Sequence, residues 1–152
     1  MSVSAVNYSS NPMQMQAKQQ WEKKREQNNQ HIRNHEIQHL AAAGEHAAGG
    51  IHIDYNSEGW ATGGHVNIKM PPKIDKNTSP EMARKALKHA EVVKNAALAP
   101  SDPSSQDMKV AAQATQIMFQ ANQLLSNNNG NQMGGNPAIN PANAGKKLNI
   151  TA

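Results

Sequence analysis

The chain has 152 residues, no cysteine, only 3% aromatic residues and a mean hydropathy of −0.76. That length bounds it to one domain with tails, and the missing cysteines exclude disulfides, thiolate chemistry and cysteine-type zinc sites, leaving His, Asp and Glu as metal ligands. The formal charge of +4 is a mild surplus held largely in Lys18, Lys23, Lys24 and Arg25, and again in Lys146 and Lys147, and it reads as a solvated helix face rather than a nucleic-acid signal.

Residues 1–11 are Ser/Asn-rich and are expected to form a disordered tail. They carry neither the basic nor the apolar region of a Sec signal peptide. No stretch approaches the roughly 18 apolar residues of a membrane helix. The expected location is therefore cytoplasmic, with non-Sec export or residence in a particle as the other routes. The folded unit is expected over residues 12–126. Its core must be small and built from Ala, Leu, Ile, Val and Met, a size at which a bound metal contributes to stability.

A long helix is predicted from about Pro12 to Ala48. Pro12 suits its first position behind Asn11 or Ser10, and Gly49-Gly50 is the predicted stop. Residues 51–55 then alternate apolar and polar, Asn56-Ser57-Glu58-Gly59 reads as a turn, and His65-Val66-Asn67-Ile68-Lys69 alternates again. Together they predict a hairpin that Pro71-Pro72 ends. A second helix is predicted from about Pro80 to Leu98, capped by Ser79 with Glu81 in its first turn. A third is predicted from about Pro103 to Ser126, with Ser101 or Asp102 as cap and with Val110, Ala114, Ile117, Met118, Ala121 and Leu124 at helical spacing. Residues 127–152, rich in Asn, Gly and Pro, are expected to be a disordered tail. The class is α+β: a mostly helical, zincin-like minimal domain with a long N-terminal helix, a β-hairpin and two further helices.

The chemistry-bearing motif is His35-Glu36-Ile37-Gln38-His39. Two histidines four apart project from one helix face, one turn above the other, so both imidazoles can reach one tetrahedral metal. Glu36 beside them can take a proton from water that the metal has acidified. The expected ion is Zn²⁺, and the expected reaction is hydrolysis of a peptide or protein substrate with Glu36 as general base. A polar patch on an amphipathic helix would show the same spacing by chance. A third ligand is required. Glu45 follows His35 by the offset of the third ligand in metzincins, but Ala42 stands where that pattern needs glycine. His65 follows the Gly63-Gly64 pair, where a bend could present its ring to the helix, and is the preferred third ligand. His31, His46, His52 and His89 carry no spacing argument. Asp102 or Asp107 could accept a hydrogen bond from a ligand imidazole and fix its tautomer. Trp60 reads as a packing anchor of the hairpin.

Four stretches resemble the SprA-related family of bacterial metalloproteases: His35-Glu36-Ile37-Gln38-His39-Leu40-Ala41-Ala42-Ala43-Gly44, residues 59–66 (GWATGGHV), residues 95–107 (NAALAPSDPSSQD) and Val110-Ala111-Ala112. The resemblance covers about two-thirds of the chain and implies a zinc-peptidase-like module without naming a substrate. That family reads Gly-Glu-Val where this chain has Gly64-His65-Val66. If the family's Glu is a ligand, His65 replaces it with another zinc-competent side chain; if the Glu has another role, the assignment of His65 fails. A function of a different class is also open: a non-catalytic subunit of a larger particle, such as a virion, secretion or flagellar assembly, suited by low aromatic content and Asn/Gln-rich tails.

Overall fold

A computed structural model of the chain describes residues 11–133. In chain order it contains helix α1 (Pro12–Ala43), a 3-10 turn (Gly44–His46), strands β1 (Ala47–Tyr55) and β2 (Ala61–Ile68), and helices α2 (Pro80–Ala97) and α3 (Ser105–Met133). The α+β class holds. Among the described residues no helix is long and apolar enough to cross a membrane.

Helix α1 starts as its sequence dictates: Asn11 Oδ1 accepts the Met13 N–H at 3.2 Å, with Pro12 in the first turn. It ends earlier than the Gly49-Gly50 pair suggests. Gly44 adopts φ 53° and donates its N–H to the Leu40 carbonyl, so the first glycine able to enter the left-handed region stops the helix. Gly49 and Gly50 fall inside β1 instead, where the pairing register shifts between Ala47 and Ile51.

β1 and β2 form a two-stranded antiparallel sheet in which Ile53 opposes Gly64 and His52 opposes His65. The hairpin lies on α1. Its turn is fastened there by Trp60 against Trp21, edge to face at 5.9 Å, and by the Arg25 guanidinium, which stacks on Trp21 and donates to the Glu58 carbonyl. The side-chain amides of Asn28 and Asn29 bond the carbonyl and N–H of Ala61 at 2.8 and 2.7 Å, as a neighbouring strand would.

The core sits chiefly between α2 and α3. Ala83, Ala86, Ala90, Val93 and Ala97 recur at helical spacing along α2 and are buried, as are Ala111, Ala114 and Ala121 of α3, with Ala90 and Val93 clustered on Ala114. Small residues let the two helix axes approach closely. Ile68, Val110, Ile117 and Met118 close the edges of this cluster and bring the hairpin onto it.

Helix α3 begins at Ser105 rather than Pro103. Ser104 is the cap, not Ser101 or Asp102: its Oγ accepts the Asp107 N–H at 3.2 Å while its own N–H donates to Asp107 Oδ2 at 2.8 Å. This reciprocal capping box fixes the start of the helix and the direction of the Asp107 carboxylate together. The helix also continues past Ser126 to Met133, through residues expected to belong to the tail. The expected disorder of residues 1–10 and 134–152 lies outside the described residues.

Candidate metal centre

His35, Glu36 and His39 lie on the turns of α1 that face α3 and β2. His39 is 4% exposed, and its Nδ1 is 2.8 Å from the Ala96 carbonyl at the end of α2. A carbonyl only accepts, so Nδ1 carries the hydrogen and the lone pair of the neutral ring is on Nε2. That nitrogen points at His35 Nε2, 3.1 Å away. Two ring nitrogens at this distance require a proton or a cation between them.

The third donor comes from α3. Asp107 Oδ2 lies 3.4 Å from His39 Nε2 and 3.9 Å from His35 Nε2. Among the described residues His35, His39 and Asp107 are the group of at least three His, Asp or Glu side chains whose donor atoms converge closely enough to hold a metal ion. Donors bound to one tetrahedral zinc stand about 3.3 Å apart, the edge set by metal–ligand bonds of about 2.0–2.1 Å. The observed separations of 3.1, 3.4 and 3.9 Å surround that value, so the group fits such an ion. On the far side of His35, Asp102 Oδ1 is 3.4 Å from Nδ1, where a carboxylate fixes ring orientation.

His65 is not part of this converging group. The two-residue period of β2 explains its position. Gly64 faces α1, so close that a Cβ there would stand 2.8 Å from Glu36 Cγ. The next residue, His65, therefore stands on the other face of the hairpin, exposed, with its ring 4.8 Å from that of His52. Glu45, the other sequence candidate, has a side chain 91% exposed beside His46. His46 stacks on His89 and takes no part, and His31 lies at the cavity rim 3.7 Å from Asp102.

Glu36 is 4% exposed, and its Oε2 is a buried oxygen without a hydrogen-bond partner among the described residues. Burial pushes its carboxyl above the usual range. The His39 and His35 imidazoles oppose the shift, Asp107 adds to it, and His65 opposes it again. A buried carboxylate with a free lone pair beside a three-donor group is placed to accept a proton. The site opens onto a cavity of about 680 Å³ walled by α1, residues 62–68 of β2 and the start of α3. Tyr55 is half exposed at the end of β1 and lies outside that wall.

No family model, curated protein or solved structure matches this chain. The functional reading therefore stands on the geometry of the site.

The role of Asp107 as a converging donor was not read from the sequence, which offered it only as a partner to a ligand imidazole. Its signal was Ser104-Ser105-Gln106-Asp107, a capping box that immobilises a carboxylate at a helix start. Nothing local shows that α3 starts opposite His39. Packing of α2 on α3 brings it there.

Proposed function

We propose that this protein is a zinc-dependent hydrolase acting on peptide bonds, with the ion held by His35, His39 and Asp107. The convergence of His39 Nε2, His35 Nε2 and Asp107 Oδ2 around one point, with the His39 tautomer set by the Ala96 carbonyl, is the observation that carries the reading. Two imidazoles and a carboxylate suit zinc, which when bound polarises a carbonyl and acidifies water.

The chain's own residues supply the rest. Glu36 accepts the proton of the attacking water and returns it to the leaving amine; its raised pKa makes it a stronger base than an exposed glutamate. Gly64 leaves room for the Glu36 side chain against the sheet. Among the described residues β2 pairs only with β1, and residues 62–68 line the cavity, which leaves a strand edge for an extended peptide backbone. The resemblance to SprA-related metalloproteases belongs to the same proposal, and its longest stretch, residues 95–107, contains both Ala96 and Asp107. The testing experiment is cleavage of unstructured protein substrates by zinc-loaded wild type and Glu36→Gln. Loss of cleavage with zinc retained supports the mechanism, and undiminished cleavage rejects it.

One observation favours the second reading, a subunit of a larger assembly. Residues 12–20 of α1, Met13 and Met15 among them, are all exposed and precede Trp21, where the hairpin turn is fastened. Co-purification at fixed stoichiometry with a large complex, without metal, would support that reading over catalysis.

A further inference from the structure

The hairpin carries a second pair of imidazoles on the face turned away from α1. His52 and His65 are direct cross-strand partners. Their ring centroids are 4.8 Å apart, the same separation as between His35 and His39. Two imidazoles sharing one tetrahedral ion have ring centres about 5 Å apart, given metal–nitrogen bonds of about 2.0–2.1 Å. Asp54 stands two residues along β1 on the same face, with Oδ1 3.5 Å from His52 Nε2.

We propose that His52, His65 and Asp54 form a second divalent-metal site, on the hairpin face opposite the one that meets Glu36 and distinct from the His35–His39–Asp107 group. Two imidazoles and one carboxylate select a borderline transition ion, Zn²⁺ or Cu²⁺, over the oxygen-seeking Mg²⁺ and Ca²⁺. The three donors do not already converge as those of the cleft do, but the side chains of His52 and Asp54 are 64% and 62% exposed, so rotation about their side-chain bonds completes the coordination, and solvent supplies the remaining position. The same freedom makes the site weaker than the cleft, where His39 is locked before any ion arrives.

The location gives an ion there a structural consequence. A two-stranded ribbon is marginal alone, and its register is what sets one side chain inward and the next outward. A metal bridging His52 and His65 pins the strands one residue from the Ile53–Gly64 pair, and Gly64 is the residue that packs on Glu36. Occupancy of the outer face thus stabilises the strand that walls the cleft, by mass action with free ion.

The proposal does not rest on the hydrolase reading, and its test keeps the two apart. Zinc and, separately, copper(II) are titrated calorimetrically near neutral pH into the full chain and into His52→Ala, His65→Ala, Asp54→Asn and His39→Ala, with thermal unfolding as the check on folding. Wild type is expected to take up two zinc equivalents of unequal affinity. His52→Ala and His65→Ala each lose the weaker one and keep the tighter; Asp54→Asn weakens the weaker one by about tenfold. His39→Ala keeps the weaker event, whatever becomes of the cleft. A single equivalent in wild type, or a weaker event that survives both His52→Ala and His65→Ala, overturns the proposal.

Discussion

The molecule holds two histidine pairs at one ring separation, 4.8 Å, in opposite surroundings. His35 and His39 sit a turn apart on a rigid helix. One ring is clamped by a carbonyl, the other flanked by a carboxylate, and a third donor is aimed by a capping box. His52 and His65 face each other across a two-stranded ribbon, with His52 mostly in solvent. Spacing selects which side chains can meet, whereas their support decides what they do on meeting. Preorganised donors beside a buried base make a place for chemistry; unsupported donors make, at most, a place for an ion.

The variant that separates the two pairs most sharply is Glu36→Gln. In the cleft it is expected to lower peptide cleavage by about 10²–10⁴-fold, the usual contribution of a general base, with the tight zinc retained. Neither His52→Ala nor His65→Ala should reduce cleavage comparably in the presence of saturating zinc. A loss of equal size from either of those, measured in the same assay, would dissolve the distinction.

Next in size is the effect of removing support. Asp102→Asn should weaken zinc binding in the cleft by about 10–100-fold without unfolding the chain, because the amide no longer holds His35 Nδ1 as a carboxylate does. Asp107→Ala should cost more than that, since it removes a donor rather than a donor's partner. Competition against a chromophoric chelator measures both. Equal affinity in Asp102→Asn and wild type would show that the orientation of His35 does not depend on it.

Smaller effects test the sheet. Gly64→Ala places a methyl 2.8 Å from Glu36 Cγ and 2.9 Å from the His52 carbonyl oxygen, and is expected to destabilise the fold by about 1–3 kcal/mol in urea. Gly63→Ala meets nothing within 4 Å and serves as the control. A Gly63→Ala loss as large as that of Gly64→Ala would remove the inward–outward alternation on which the position of His65 depends.

The smallest effect concerns charge. Burial raises the Glu36 pKa above its unfolded value, so the folded chain binds this proton more tightly than the unfolded chain does. The stabilisation that proton provides is complete below the unfolded value and disappears as pH rises through the folded one. In chelator-treated protein, Glu36→Gln should therefore be more stable than wild type at neutral pH, with the advantage fading below about pH 4. An advantage that is the same at both pH values would assign it to packing instead.

Sequence made the first half of the cleft legible, because His35, Glu36 and His39 are local to one helix and helical geometry alone sets their relation. It also showed the hairpin and the Ser79-capped α2, whose signals are equally local. The end of α1 was misplaced because three glycines follow one another closely and only the closure of the Gly44 N–H onto the Leu40 carbonyl shows which one terminates the helix. The third donor was hidden for a deeper reason. Asp107 reaches His39 only through the packing of α2 and α3, whose alanine faces say that the helices pack but not which residue then faces α1. Likewise, the Gly63-Gly64 pair suggests a bend, whereas both glycines stay paired, Gly63 with Asp54 and Gly64 with Ile53, and the alternation sends His65 outward.

The most direct test of the cleft is the zinc affinity of wild type beside Asp107→Ala and His39→Ala, measured by chelator competition on folded protein. The tight equivalent should be present in wild type and absent from both variants. A tight equivalent that persists unchanged in both would contradict the three-donor site.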